Sequence, residues 1–293
     1  MVSPGRGNKL LYLINIMKYN IALCFYGEAR HWQVGLESIS KFHNLSKDQF
    51  NTDVYCHLWD NITRRTTNIL DLIRNKHPLG TVVTSSNLQH EKLLKKYNPV
   101  NYKIENKNVL DSYVDKFKPN DKFMSTEEYK LAIKYSNNPC FSQLYSSYQS
   151  YDIIPNKCDY DLIIITRTDC LFDDKSITDK TLRFFCKYVQ RKSALLVERL
   201  SLVPPRREVW MYSGYMLGSS IVFDSLFENF PKNSIGMGQY RPEVYGYKGN
   251  SHAEFADYVL NYTNINRVWP ILVRGHPWFV GKYKQFTLEQ IKI

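Results

Sequence analysis

The sequence lacks the short motifs that most often identify a metal or nucleotide site. None of its six cysteines forms a C-x-x-C pair, so a zinc knuckle is not expected. Neither G-x-G-x-x-G nor G-x-x-x-x-G-K-[ST] occurs, which argues against a Rossmann dinucleotide pocket and a P-loop. There is no internal repeat, and the apolar run Leu10–Ile16 is too short to cross a bilayer. We therefore expect a soluble, cytoplasmic protein whose cysteines are buried free thiols.

The chain does contain enough apolar and aromatic residues for a substantial core. Of its 293 residues, 43% are hydrophobic and 14% aromatic, which suits one large α/β domain or two small ones. The formal net charge of +11 indicates a partner that carries phosphate or another anion, or else a solvated lysine-rich surface. The lysines are spread rather than clustered, so we expect no dedicated nucleic-acid-binding face.

Strand-like and helix-like patterns alternate in the first third of the chain. Continuous apolar or β-branched runs predict strands at Tyr19–Tyr26, Asp53–Trp59 and Gly80–Ser85. The apolar spacing between them predicts helices at His31–His43 and Arg64–Lys76. This alternation predicts an α/β fold with a mostly parallel central sheet and crossover helices.

The remaining pattern predicts one domain over residues 17–293 with a polar interruption. Residues 1–16 are interpreted as an N-terminal extension, either dispensable or disordered, and residues 87–140 as a helical insertion or lid. Regular patterns return after the insertion. They predict helices at Phe141–Ile154 and Glu254–Tyr262, and strands at Tyr160–Thr166, Ala194–Val197 and Val268–Val273.

Charged residues and a glycine follow the predicted parallel strands. Gly27 and Arg30 follow the first strand, Asp60 follows the second, and Arg167 and Asp169 follow the most hydrophobic one. Ligands of parallel sheets bind outside the carboxyl ends of the strands. Arginines there can hold a diphosphate, and carboxylates can hold a divalent cation that bridges it. Each residue alone also suits an ordinary turn or helix start, so the prediction depends on their joint placement.

Four segments resemble a group of viral and bacterial glycosyltransferases with the GT-A fold. Ile21–Arg30 is similar to a strand that ends in Gly-x-x-Arg, and Asp53–Asp60 to one that ends in a His-x-Trp-Asp-like run. Tyr160–Asp169 resembles the Arg-x-Asp segment that stands in place of Asp-x-Asp. Ser251–Glu254 is similar to the start of the acceptor-side helix. The resemblance covers roughly residues 17–60 and 140–275.

The resemblance implies a nucleotide-diphosphate sugar donor and a glycan or other hydroxyl acceptor. It implies that Gly27, Arg30, Asp60 and Arg167 bind the donor, and that Mn²⁺ or Mg²⁺ lies near Asp169. Arginine has no acceptor atom and cannot ligate a metal, so Arg167 would neutralise phosphate directly and leave Asp169 as the ligand there. Further predicted roles are Gly218 as a point of close approach to the donor sugar and His276 as a second metal ligand.

Residues 200–293 are interpreted as the acceptor-side half. Glu254 is the first candidate for a general base that deprotonates the acceptor hydroxyl, with Asp257 and Glu243 behind it. The competing interpretation of Glu254 is structural, because Ser251-x-x-Glu254 is also a capping box.

Other functions fit parts of the sequence. His252-x-Glu254 matches half of a zinc deaminase signature, but P-C-x-x-C is missing. A metal-dependent phosphoesterase would use carboxylates at strand ends, and a glycan- or nucleic-acid-binding module would use the aromatic residues and positive charge. The many Asn, Lys, Ile and Tyr residues are typical of an AT-rich coding source, a virus or a low-GC bacterium. For a virus, the expected compartment is the host cytoplasm.

Overall fold

The computed structural model describes the chain in segments, most of which belong to one α/β core. These are residues 18–29, 32–45, 47–60, 62–63, 82–83, 87–114, 140–170, 172, 177–203, 208–228, 230, 255–256, 258–259, 263–265 and 267–270. They form a mixed, mostly parallel sheet flanked by helices, and this confirms the predicted α/β class.

Nine strands and six helices are present within these segments. The strands are β1 (Tyr19–Glu28), β2 (Phe50–Trp59), β3 (Ile62–Thr63), β4 (Val82–Val83), β5 (Asn101–Glu105), β6 (Leu162–Arg167), β7 (Leu195–Val203), β8 (Glu208–Gly218) and β9 (Val268–Pro270). The helices are α1 (Trp32–His43), α2 (Asn87–Tyr97), α3 (Asp111–Val114), α4 (Cys140–Asp152), α5 (Asp179–Lys192) and α6 (Ser220–Phe227). Two 3₁₀ turns, Lys107–Leu110 and Lys157–Asp159, complete this set.

The main sheet has seven strands in the order β5-β2-β1-β6-β8-β7-β9. Every neighbouring pair is parallel except the two that involve β8, which runs antiparallel to β6 and to β7. The strand that follows β1 in sequence, β2, pairs with one edge of β1, and the later strand β6 pairs with its other edge. This change of direction opens a crevice at the carboxyl ends of β1 and β6.

The sheet is covered on both faces because its central strands are apolar on both faces. Ile21, Leu23 and Phe25 of β1 are fully buried in one cluster, together with residues of α1, α2 and α5. Ala22 and Cys24 are fully buried in the other cluster, together with residues of α4 and α6. Successive side chains of a strand point to opposite faces, so a continuous apolar run requires helices on both sides.

The predicted third strand is where the structure differs most from the sequence pattern. Of residues 80–85, the structure describes Val82–Val83, which pair antiparallel with Ile62–Thr63 in a separate two-stranded sheet. The edge beside β2 is instead occupied by β5, which lies inside the segment predicted as a helical insertion. Its sequence NYKIE is half polar and partly exposed, as suits an edge strand, and such a pattern carries a weak strand signal.

The predictions about the cysteines and about a membrane span can be compared with the structure. Cys24, Cys56, Cys170 and Cys186 are buried free thiols as expected, whereas Cys158 is free but exposed. Among the described helices, none combines the length and the hydrophobicity that a membrane span requires.

Candidate functional site

A recess lies at the carboxyl ends of β1 and β6, at the crevice created by the strand order. It is lined by residues 26–28, Trp59, Lys107, residues 142, 143 and 146 of α4, and residues 167–169. Its volume is about 430 Å³, including the part that is open to solvent. Three predicted site residues, Gly27, Arg167 and Asp169, therefore meet at one place, which we call the switch-point recess.

Gly27 is the backbone feature of this recess. Its φ is +108°, a conformation that side chains rarely adopt, and a Cβ built on it would meet no atom within 4 Å. Its N–H donates to Ser146 Oγ at 3.1 Å. Glycine is therefore needed for the backbone conformation, and its missing side chain leaves the recess open to a ligand.

Arg167 and Asp169 form a bidentate ion pair at the end of β6. Arg167 Nε donates to Asp169 Oδ1 at 2.8 Å, and the second nitrogen, Nη2, donates to Oδ2 at 2.6 Å. Burial disfavours the charged guanidinium, but the Asp169 carboxylate outweighs this and raises the pKa of Arg167. The register places Arg167 opposite Tyr26 of β1, so the guanidinium lies beside the Gly27 segment (residues 26–28).

Lys107 contributes a second buried cation that the sequence patterns did not single out. Its Nζ lies 2.6 Å from Glu28 Oε1, and both side chains are less than a tenth exposed. The ammonium also lies 6.0 Å from the centre of the Trp59 ring, within reach of a cation–π contact. In the sequence, Lys107 is one lysine among many in a polar segment, and only the packing distinguishes it.

Both carboxylates of the recess are paired with cations. Both Asp169 oxygens accept hydrogen bonds from Arg167, and Glu28 Oε1 accepts one from Lys107. Within the described residues, no three side chains of His, Cys, Asp or Glu come together as a metal site would require. The other predicted metal ligand, His276, lies outside the described residues, so the predicted Mn²⁺ or Mg²⁺ ion stays a prediction.

Two predicted donor-binding residues lie outside the recess lining. Asp60 follows β2 and its Oδ2 accepts a hydrogen bond from Asn106 Nδ2 at 2.7 Å, so it links the ends of β2 and β5. Gly218 pairs with Ile163 near the opposite end of β6 from Arg167. A Cβ on Gly218 would come within 3.3 Å of Val222 and Phe223, so this glycine allows close packing of α6 on β8.

The other predicted residues lie outside the described part of the chain. They are Arg30 of the donor site, Glu254 and Asp257 of the catalytic site, and His276 of the metal site. Their roles stay predictions. Phe255, Ala256, Tyr258 and Val259 beside the first two are buried and helical.

A buried polar network supports the recess from behind. His57 of β2 is fully buried; its Nδ1 lies 2.7 Å from Ser146 Oγ and its Nε2 lies 2.9 Å from Glu105 Oε2. Trp59 and Tyr145 pack edge-on against the His57 ring, with centroids 5.1 and 6.2 Å away. His57 belongs to the His-x-Trp-Asp-like run, but Ser146 had no sequence signal beyond its place in a Ser-rich helix.

Comparison with known proteins gives no family assignment. No protein-family model matches the chain, and no curated protein matches it. The functional interpretation therefore depends on the geometry and charge of the switch-point recess.

Proposed function

We propose that the protein is a GT-A-like glycosyltransferase that moves a sugar from a nucleotide-diphosphate donor to a glycan or other hydroxyl acceptor. One observation carries the proposal: the switch-point recess brings the open Gly27 backbone and the Arg167–Asp169 pair together at the carboxyl ends of β1 and β6. This is where parallel sheets bind nucleotides. The mostly parallel sheet with helices on both faces is compatible with the proposed fold.

The recess suits a diphosphate because its cations are fixed in advance. Asp169 takes two of the five N–H donors of Arg167, and this fixes the plane of a guanidinium that lines the recess. Lys107 adds a second cation. When the donor's glycosidic bond breaks, negative charge grows on the leaving diphosphate, and preorganised cations stabilise that charge more than they stabilise the intact donor.

The reaction also needs a group that accepts the acceptor's proton if the configuration is inverted. Glu254, with Asp257 behind it, stays our proposed base. The proposal assigns the diphosphate charge to Arg167 and Lys107 and routes no step through a metal. A requirement for Mn²⁺ or Mg²⁺ stays a prediction that the same assay measures.

A screen for nucleotide release tests the proposal. The protein is incubated with nucleotide-diphosphate sugars of different bases, with and without Mn²⁺ or Mg²⁺, and released nucleoside diphosphate is measured. We expect release from at least one donor, and a loss of about 100-fold in Arg167→Gln, since removing one preorganised charge donor typically has this effect. Arg183→Gln is the matched control, because Arg183 is an exposed arginine of α5.

The outcomes separate the competing functions. Release of nucleoside diphosphate that depends on Arg167 supports a glycosyltransferase. Release of inorganic phosphate from simple phosphate esters, with no use of nucleotide sugars, would favour a phosphoesterase. Binding without any turnover would favour a binding module, and a donor screen without binding or release contradicts the proposal.

A further inference from the structure

Four hydrogen-bonding groups form a continuous chain behind the switch-point recess. Gly27 N–H donates to Ser146 Oγ at 3.1 Å, Ser146 Oγ lies 2.7 Å from His57 Nδ1, and His57 Nε2 lies 2.9 Å from Glu105 Oε2. The chain connects β1, α4, β2 and β5. It begins at the one backbone position of the recess that has a positive φ.

The protonation of this chain follows from the chemistry of its members. Burial alone would raise the pKa of Glu105, but hydrogen bonds from His57 and Lys103 lower it to about 2, so Glu105 is a carboxylate and only accepts hydrogen bonds. His57 must therefore carry its proton on Nε2. Burial lowers the pKa of His57, which keeps the ring neutral and leaves Nδ1 as an acceptor.

Every bond of the chain then has a defined direction. With Nδ1 as an acceptor, the Ser146 hydroxyl donates to His57, and its oxygen is free to accept from Gly27 N–H. Ser146 can fill both roles because a hydroxyl has one donor and two acceptor sites. Hydrogen bonds that run in series polarise and strengthen one another.

We propose that Ser146, His57 and Glu105 are positioning residues that hold the Gly27 segment in the conformation that shapes the switch-point recess. Because the Ser146 hydroxyl is directed at His57, its oxygen accepts the Gly27 N–H in one fixed orientation. Without Ser146, this amide would lose its acceptor in a part-buried position, where an unsatisfied donor is unfavourable. The consequence for nucleotide binding rests on the proposed function, whereas the effect on the backbone of Gly27 does not.

Neighbouring serines of α4 show that this bond is not a general property of the helix. Ser147 and Ser150 are also buried, but their hydroxyls donate within α4, to Leu144 O and Ser147 O. Ser146 instead contacts Gly27, 119 residues earlier in the chain. Ser147→Ala is therefore a matched control, because it removes a buried serine hydroxyl from the same helix and leaves the hydrogen bonds of Gly27, Ser146, His57 and Glu105 in place.

The first test measures the backbone directly in the full-length protein. Amide hydrogen exchange at Gly27, followed by NMR, should become about tenfold faster in Ser146→Ala, as expected for the loss of one hydrogen bond in a part-buried position. Ser147→Ala should leave it unchanged. Nitrogen NMR of His57, assigned with His57→Gln, should give the neutral Nε2–H form. Unchanged exchange in Ser146→Ala, or a charged or Nδ1–H ring at neutral pH, would overturn the proposal.

The second test measures the ligand consequence with UDP and GDP as probes in titration calorimetry. Ser146→Ala should weaken the tighter of the two by about tenfold, while Ser147→Ala binds as the parent protein does. Faster Gly27 exchange with unchanged affinity would refute the positioning role and leave the chain a purely structural network. If the parent protein binds neither probe, the proposed function fails on that result, and Gly27 exchange alone decides whether the chain holds the backbone.

Discussion

At the scale of the single residue, Gly27 imposes the strictest requirement in the recess. Its φ of +108° strains any side chain, and the space beyond it is open. We expect Gly27→Ala to lower the free energy of unfolding by roughly 1–3 kcal/mol, the usual cost of a disfavoured backbone conformation. Urea unfolding monitored by circular dichroism measures this.

The variant Gly27→Asn separates strain from obstruction at the same position. Asparagine enters positive φ more readily than alanine, so it should destabilise the protein less. Its larger side chain extends into the recess, so it should weaken UDP or GDP binding more. If stability and affinity fall in the same order for both variants, the open space beside Gly27 has no role in binding.

The positions of site residues were predictable only where the strand ends determine them. Gly27, Arg167 and Asp169 follow apolar runs, and the parallel pairing of Tyr26 with Arg167 brings them together. Lys107 and Ser146 could not be found this way, because they come from a turn and a helix whose approach depends on tertiary packing. At Gly218 the structure shows close packing of α6, which the sequence did not indicate, and its role near the donor sugar stays a prediction.

At the scale of elements, the ion pair Glu28–Lys107 joins the end of β1 to the turn after β5. Both side chains are nearly buried, so removing one partner takes an opposite charge 2.6 Å away from an ion that is largely shielded from water. We expect Lys107→Met and Glu28→Gln each to reduce the free energy of unfolding by about 3–5 kcal/mol, and the double variant by less than the sum. Chemical denaturation of the four proteins gives this coupling energy.

The exposed ion pair between Glu37 and Lys41 on α1 serves as the comparison for this double-mutant cycle. Glu37 is 61% exposed, so Glu37→Gln should change stability by no more than about 0.5 kcal/mol. Additive effects of Lys107→Met and Glu28→Gln would mean that the two residues stabilise the protein independently.

Elements were predictable in proportion to how completely they are buried. The predicted strand at Tyr160–Thr166 is β6, and the predicted helix at His31–His43 is α1, because uninterrupted apolar runs and helical spacing are unambiguous there. The edge strand β5 was missed because it is short and partly exposed, so its five residues carry no run of apolar side chains. The β-branched residues Val82–Val83 attracted the strand prediction but join a different sheet.

For the whole molecule, His57 and Glu105 make stability depend on pH. The folded protein resists protonation of His57, whose pKa is lowered from 6.5, so the unfolded chain binds the proton more readily. The contribution of His57 to stability is therefore full above pH 6.5 and decreases as the pH drops below that value. Glu105, with its pKa lowered from 4.5 to about 2, adds a second loss between those values.

Urea unfolding from pH 7.5 to pH 4.5 checks this dependence. His57→Gln should be less stable at neutral pH but should lose less stability than the parent protein between pH 6.5 and 4.5. His43→Gln, at an exposed position on α1, is the control. An identical slope in His57→Gln and the parent would show that the acid sensitivity arises elsewhere.

The pairing of β1 with β6 has a consequence for folding kinetics. These strands form the recess, yet contacts such as Asn20 N to Asp161 Oδ2 close a separation of 141 residues. Contacts this distant in sequence form slowly, because closing the long loop between them costs conformational entropy before the contact contributes any favourable energy. After dilution from denaturant, helical circular dichroism should therefore return early, and affinity for a nucleoside diphosphate should return only with the slowest phase.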